Sequence, residues 1–139
     1  MQVSCINNMK ELPHNTRNTP TRKAILDLFE TTNHPLSAVQ MHKLLMRINI
    51  HANITTVYRE LDFLLNNNII YKIDLTGGTT FYESSERDHH HHVICTSCGG
   101  IQDVTIKDEE NLLFNVQKPR DFTIQRHSLE FYGNCGSCN

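Results

Sequence analysis

The chain has 139 residues, the size of one domain or of two very small ones that share an interface. No apolar run approaches the roughly 20 residues of a membrane span, and no long apolar stretch follows a basic start, so we expect a cytoplasmic protein with no membrane partner. The net charge of −2 divides into +2 over residues 1–80 and −4 over residues 81–139, and this basic excess is too small to indicate nucleic-acid binding on its own.

The two parts of the chain also differ in residue chemistry. A run of four histidines and four of the five cysteines lie after residue 81. We therefore predict two functional halves, residues 1–83 and 84–139. Because small domains bury a low fraction of their surface, a metal ion or a partner subunit is expected to contribute to stability.

Three short helices are predicted in the first half. The first follows the cap residue Thr19 and has Pro20 at its first position, the second follows Ser37, and the third follows Asn53 or Thr55. Each segment carries apolar residues at helical spacing. The first half is therefore predicted to begin as a small helical bundle.

A change of period after residue 68 predicts a hairpin. The runs IIYKIDL and TTFYES are rich in β-branched and aromatic residues and flank Gly77 and Gly78. Three helices followed by a two-stranded ribbon is the order of a winged helix-turn-helix, in which the third helix enters the major groove of DNA. The exposed end of that helix offers hydroxyl, aromatic and guanidinium groups for phosphate and base contacts, on Thr55, Thr56, Tyr58 and Arg59. The competing interpretation is a helical domain whose Arg59 is only solvated.

The cysteines of the second half form two pairs with metal-binding spacing. Cys95 and Cys98, like Cys135 and Cys138, are separated by two residues, which lets both thiolates of a pair reach one ion from a tight turn. Together they predict a structural Zn2+ site with four sulfur ligands. Two disulfides and a thioredoxin-like redox pair are weaker alternatives, because a cytosolic chain keeps its thiols reduced and a redox pair leaves the other two cysteines unexplained. The leftover Cys5 is expected to be inert.

The four consecutive histidines precede the first cysteine pair in a segment that we predict to be extended. Since successive side chains of a strand point to opposite faces, His89 and His91 share one face, and His90 and His92 share the other. One run can therefore seed two metal sites, each of which needs ligands from elsewhere. Five further residues offer suitable groups: His34, Glu83, Asp103, Glu110 and His127. A surface strand that happens to be rich in histidine is the competing interpretation.

Several motifs taken together resemble the ferric uptake regulator family of metal-dependent transcription factors. They are TTVYRELDFLLNNNII, GGTTFYE, HHHHVICTSCG and HSLEFYGNC, and the resemblance extends from about Arg17 to Cys138. It implies an α+β homodimer in which an N-terminal winged helix-turn-helix binds double-stranded DNA and a small C-terminal α/β domain dimerises. In many members four cysteines hold a structural zinc ion.

The resemblance also implies how the ligands are grouped. A regulatory site at the junction of the domains would take Fe2+, Mn2+ or Zn2+, and its ligands would be His34, Glu83, His90, His92 and Asp103. A second site within the dimerisation domain would use His89, His91, Glu110 and His127. On the DNA side, Tyr58 and Arg59 match the recognition-helix pair, and Arg17 stands where a basic residue reaches toward the minor groove.

The function predicted from these features is that of a metal-responsive transcriptional regulator, a repressor of metal-uptake or peroxide-stress genes, whose regulatory ion controls operator binding. One alternative is a zinc hydrolase, but the chain has no HExxH motif and no HxE motif paired with PCxxC. The other alternative is a metal-buffering protein without a DNA role. We therefore expect a regulator that is not an enzyme.

Overall fold

A computed structural model describes residues 12–13, 16–74 and 78–139. Cys5 lies outside these residues. The chain divides into two compact units, one that runs to Asp88 and one that begins at His89. Within the described residues, no helix is both long and apolar enough to cross a membrane.

The first unit contains the three predicted helices, each with a side-chain cap at its start. Helix α1 (Pro20–Thr31) begins after Thr19, whose hydroxyl accepts a hydrogen bond from the backbone N–H of Arg22. Helix α2 (Ala38–Arg47) starts with a reciprocal capping box between Ser37 and Gln40. Helix α3 (Ile54–Asn66) is capped by Asn53, one of the two caps that the sequence left open.

The hairpin of the first unit forms the wing. Strands β2 (Ile70–Asp74) and β3 (Thr80–Ser84) pair antiparallel, and the two-residue strand β1 (Leu36–Ser37) adds to the other side of β3. Residues 75–77 of the predicted turn lie outside the described residues. Gly78 has a φ of +79°, a left-handed conformation that glycine adopts without strain.

An apolar core joins these helices to the sheet. Ile25, Met41, Leu45, Leu61 and Leu64 are all fully buried. They come from three different helices, so each helix turns its apolar stripe toward the same centre. The polar faces of the helices are left for solvent and for ligands.

The first unit extends past the predicted boundary after residue 83. Ser85 donates its backbone N–H to the carbonyl oxygen of Ile69 at 3.0 Å, and Arg87 donates to Glu83 and to the carbonyl oxygen of Asn33. These bonds attach the residues that follow β3 to the body of the first unit. The contacts of the chain accordingly divide between Asp88 and His89.

The second unit is a three-stranded mixed sheet with one short helix. Strand β4 (His91–Cys95) lies in the centre, antiparallel to β5 (Ile101–Val104) and parallel to β6 (Glu130–Gly133). Helix α4 (Glu109–Phe114) falls between β5 and β6 in the chain. Helices followed by separate small sheets confirm the predicted α+β class.

Candidate metal centres and nucleic-acid interface

Two tight turns at the same end of the second unit's sheet bring the four cysteines together. Cys95 ends β4, and the chain reverses there because Gly99, with a φ of +70°, donates its N–H to the carbonyl oxygen of Cys95. In the parallel strand β6, Gly133 pairs with Cys95, so the turn that follows carries Cys135 and Cys138 to the same place. All four sulfur atoms lie within 4.8 Å of one another.

The spacing of the sulfur atoms fits a zinc ion. The Sγ atoms of Cys98 and Cys135 are 3.9 Å apart, and all four thiols are free. Zn–S bonds of about 2.3 Å in a tetrahedron separate two sulfurs by about 3.8 Å, whereas a disulfide bond is about 2.05 Å long. The geometry therefore favours four-thiolate coordination over the two disulfides considered above.

Hydrogen bonds shift the pKa values of two of the four thiols in opposite directions. The backbone N–H of Cys135 donates to the sulfur of Cys95 and is the main reason why the pKa of Cys95 is lowered to about 6. Hydrogen bonding first to Cys135 and then to Cys98 raises the pKa of the Cys138 thiol to about 12. Zinc binding would displace thiol protons, because the thiolate is the form that binds the metal.

Strand β4 and the two residues before it distribute the histidines onto two faces, as the sequence predicts. In the antiparallel pair with β5, His92 lies opposite Asp103 and His91 lies opposite Val104. Side chains of directly opposed residues point to the same face of a sheet. His92 and Asp103 therefore share a face, while His91 projects from the other face.

The first face holds two histidines and a carboxylate. The Nε2 atoms of His90 and His92 each lie 3.8 Å from Oδ1 of Asp103, and the two imidazole rings meet edge to face with their centroids 4.9 Å apart. Two ligands of one ion, each bound at about 2.0–2.2 Å, are separated by no more than about 4.4 Å. This trio, His90, His92 and Asp103, is called the HHD cluster below, and its spacing is compatible with a shared divalent ion.

The opposite face holds a tighter group of three histidines and one carboxylate. Oε1 of Glu109 lies 3.0 Å from Nε2 of His89 and 2.6 Å from Nε2 of His127, and it also contacts Nε2 of His91. The Nε2 atoms of His89 and His127 are 3.1 Å apart. Metal–ligand bonds of about 2.0–2.1 Å place neighbouring ligands about 3.0–3.3 Å apart, so these four residues, the HHEH cluster, fit one ion.

The strand register explains how His127 reaches the HHEH cluster. His92 pairs with Glu130 in the parallel ladder, so three residues earlier His89 faces His127. The backbone N–H of Leu129 donates to Nδ1 of His91 at 3.2 Å and orients a ring that is only 1% exposed. Hydrogen bonds from His127 and then from His91 lower the pKa of Glu109 to about 2, so this carboxylate carries its charge at neutral pH.

The acidic member of this cluster is Glu109, where the sequence analysis named Glu110. Glu109 is the first residue of α4 and points toward the histidines. Successive helical residues are rotated by about 100°, so its neighbour Glu110 faces elsewhere. The strand pattern could not show this, because the loop between β5 and α4 sets the angle at which the helix starts.

The remaining residues predicted to bind the regulatory ion belong to the first unit. Glu83 lies on β3 opposite Tyr71, and its Oε2 accepts a hydrogen bond from Arg87 at 3.3 Å. His34 is exposed in the bend between α1 and β1. Their participation in metal binding stays a prediction.

The predicted DNA contacts lie on the side of α3 that faces away from the core. Thr55, Tyr58 and Arg59 are exposed, while Val57 and Leu61 on the opposite side are fully buried. The hydroxyl of Thr56 donates to Oδ1 of Asn53 at 2.9 Å, so it strengthens the helix cap. Arg17, three residues before α1, is also exposed. The unit therefore presents an aromatic ring and a guanidinium from one helix, and such groups can contact base edges in a groove of DNA.

Comparison with known proteins agrees with this arrangement. A model of the ferric uptake regulator family matches residues 13–132. The ferric uptake regulation protein of Bordetella parapertussis is 32% identical over 118 residues, which are 84% of this chain and 85% of that protein. The zinc uptake regulation protein of Mycobacterium tuberculosis is 31% identical over 88% of this chain and 94% of its own. A structure of the ferric uptake regulator from Francisella tularensis with iron superposes with a TM-score of 0.74 at 28% identity, over 92% of this chain and 98% of the other.

Proposed function

This chain belongs to the ferric uptake regulator family, and from this premise we propose that a divalent ion at its HHD cluster controls its binding to operator DNA. Members of the family are metal-responsive transcription regulators, and not enzymes, that bind DNA and act as dimers. The zinc hydrolase alternative is thereby removed. We propose further that this chain is a cytoplasmic repressor of metal-uptake or peroxide-stress genes.

The observation that carries the proposal is the alternation of four consecutive histidines between two faces, along β4 and the two residues before it. His90 and His92 meet Asp103 on one face, while His89 and His91 meet a second acidic residue on the other. A histidine-rich surface strand without a role has no reason to be matched by carboxylates on both faces. The pattern supports two separate ions, one of which is available for regulation.

The ligand types support different ions in different places. Four thiolates favour Zn2+, while mixed imidazole and carboxylate ligands suit Fe2+, Mn2+ or Zn2+. Relatives of nearly equal identity are named for ferric uptake and for zinc uptake, so similarity does not choose among these ions. We assign Zn2+ to the four cysteines and propose Fe2+, Mn2+ or Zn2+ for the regulatory site.

We propose that Glu83 and His34 complete the regulatory ligand set from the first unit, as the family resemblance implies. An ion bound by residues of both units would restrict the movement of one unit against the other. In a dimer that restriction fixes the separation of two recognition helices, and DNA half-sites lie at fixed helical spacing. A coupling free energy of about 1–3 kcal/mol changes operator affinity roughly 5- to 150-fold.

The surface of the second unit supports a homodimer. Large apolar side chains such as Phe131 and Tyr132 on β6 and Phe114 at the end of α4 are substantially exposed in the single chain. Exposed apolar groups on a small unit mark an interaction surface. A second copy of the chain is the partner that the family leads us to propose.

Operator binding measured against free metal tests the regulatory proposal. The probe is a palindromic duplex selected from a randomised pool, and the zinc site is filled in every sample. Anaerobic addition of Fe2+, Mn2+ or Zn2+ is expected to change the Kd at least about fivefold. Glu83→Gln and His90→Ala should abolish the change, while Glu86→Gln, which alters an exposed carboxylate three residues away, should retain it. An operator affinity that changes neither with added metal nor with chelator would refute the proposed metal control.

The metal-buffer alternative needs a separate experiment. Arg59→Ala removes an exposed guanidinium from α3. It is expected to weaken binding of the protein to the selected duplex while the amount of metal bound by the protein stays unchanged. Arg126→Ala removes the same charge from the second unit and serves as the control for net charge. If the Arg59→Ala variant binds the duplex as tightly as the parent protein, the alternative of a metal-buffering protein without a DNA role is favoured.

A further inference from the structure

A buried ion pair connects the recognition helix α3 to the start of α1. Nε of Arg22 donates to Oε2 of Glu60 at 2.6 Å, and the hydroxyl of Thr19 donates to the other carboxylate oxygen at 3.1 Å. Arg22 and Glu60 are each only 8% exposed. Glu60 is therefore a charged residue on the core-facing side of the helix, directly after the exposed Arg59.

The same guanidinium holds the segment that precedes α1. Nη1 of Arg22 donates to the backbone carbonyl oxygen of Arg17 at 2.9 Å. The Cζ atom of Arg22 lies 3.8 Å from the ring centroid of Phe63, which is one turn further along α3. The guanidinium thus bonds the Arg17 backbone with one nitrogen and the recognition helix with another, while its flat face rests on an aromatic ring.

Stability alone does not account for this arrangement. Buried ion pairs can often be replaced by apolar residues of similar volume with no loss of stability, because desolvation offsets the attraction between the charges. What apolar residues cannot supply is the bond to the Arg17 carbonyl group. That bond fixes the backbone at Arg17 while the Arg17 side chain remains exposed.

We propose that Arg22 is a positioning residue for DNA binding. It fixes Arg17 relative to α3, so that Arg17 and the Tyr58–Arg59 pair are presented together to neighbouring grooves of one duplex. The inference rests on the DNA-binding function proposed above and adds a residue that does not touch DNA. Without the bond, the Arg17 segment has to be ordered during binding, and ordering one residue reduces affinity roughly 5- to 30-fold.

A double variant, Arg22→Met with Glu60→Leu, separates positioning from folding. It removes one positive and one negative charge, so the net charge and the long-range attraction to DNA are unchanged. We expect a thermal unfolding midpoint at or above that of the parent protein and a Kd for the selected duplex raised roughly 5- to 30-fold. A double variant that binds the duplex as tightly as the parent would overturn the proposal.

Arg22→Lys provides a second test if the double variant fails to fold. Lysine keeps the charge opposite Glu60 but lacks the planar fork needed to reach the Arg17 carbonyl group at the same time. Protection of the minor groove from hydroxyl radicals should be lost at the flank contacted by Arg17. Protection of guanine N7 in the major groove should persist, a difference that a general loss of structure would not produce.

Combination with Arg17→Ala decides whether Arg22 acts through Arg17. In the parent protein Arg17→Ala is expected to weaken duplex binding and remove the minor-groove protection, while in the double variant it should add little. Equal losses in both backgrounds would overturn the positioning role and leave the DNA-binding function intact. If Arg17→Ala changes nothing in the parent protein, the inference fails at its premise. If added metal fails to change operator affinity in the parent protein, in which Arg22 is intact, only the proposed metal control fails.

Discussion

The two units of the chain are stabilised in different ways. Of the sixteen buried hydrophobic residues among the described positions, only Ile94 and Cys95 belong to the second unit. That unit instead buries His91 and His92, which are 1% and 7% exposed. A unit whose buried side chains are potential ligands depends on ions and on a partner, whereas the first unit is expected to fold around its own core.

This difference suits a metal-responsive regulator. The proposed DNA contacts lie on the first unit, and its apolar core is expected to keep α3 folded at all metal concentrations. The four cysteines and the two histidine clusters lie on a unit with few buried apolar residues, where binding of an ion is expected to contribute directly to folding. Substitution of a cysteine ligand in the second unit should therefore lower both metal content and stability, and substitution in the apolar core of the first unit should lower stability without changing metal content.

Loss of one zinc ligand should have the largest effect. Cys135→Ser removes a thiolate from a site whose occupation is expected to provide about 10–16 kcal/mol, more than the net stability of most domains. We expect the second unit to unfold and zinc to fall below one ion per chain, while calorimetry still records cooperative unfolding of the first unit. Cys5→Ser, which alters the cysteine predicted to be inert, is the control. A second unit that stays folded in the Cys135→Ser variant would contradict the expected dependence of this unit on zinc.

A core substitution in the first unit should produce the reverse pattern. Leu61→Ala leaves a cavity in a fully buried position and is expected to lower the free energy of unfolding by about 2–5 kcal/mol, measured by chemical denaturation. Zinc content should stay the same. Asp62→Ala, at the next and exposed position of α3, should change the free energy of unfolding by no more than about 0.5 kcal/mol. Loss of zinc in the Leu61→Ala variant would mean that the units depend on each other.

The two adjacent glutamates of α4 are expected to differ in their effect on metal binding by the second unit. Glu109→Gln should weaken metal binding at the HHEH cluster at least about tenfold, measured by titration calorimetry with the cysteine site already filled. Glu110→Gln should leave that affinity unchanged, since its side chain faces away from the cluster. Equal effects of the two substitutions would show that both carboxylates reach the cluster.

The smallest effect concerns pH. Metal binding at the HHEH cluster should weaken as pH falls from 7 to 5, because ligating imidazoles must be neutral and histidines in general take up protons near pH 6.5. The pKa of Glu109 is lowered from its usual 4.5 to about 2, so its stabilising effect is complete above pH 4.5 and is lost only as pH falls through about 2. Protonation of Glu109 is therefore not the cause of a loss of affinity between pH 7 and 5. An affinity that stays constant over this range would contradict ligation by the histidines.

Local patterns were sufficient to predict most of the architecture. The caps Thr19 and Ser37 and the change of period before β2 were correct, because capping and side-chain periodicity are properties of neighbouring residues. The division of the four histidines into two faces was also predicted, since a strand allows only two directions. The family resemblance then added the expectation that the second half dimerises, which no local pattern contains.

Features set by contacts between distant segments were missed. Glu110 was named in place of Glu109 because the loop before α4 determines which residue begins the helix. The link from Arg22 to Glu60 was also missed, because 38 residues separate its partners and a charged residue on a helix usually indicates a solvated surface. Both features depend on the placement of distant elements relative to one another, which the local patterns of a single sequence do not specify.

Hydrogen exchange followed by mass spectrometry, before and after removal of zinc with a chelator, tests most directly whether metal takes the place of a core in the second unit. We expect amides of β4, β5 and β6 to lose their protection when zinc is removed, while amides of α1, α2 and α3 keep it, and we expect added Zn2+ to restore the original pattern. Protection that persists throughout the second unit after complete loss of zinc would show that this unit does not depend on the ion.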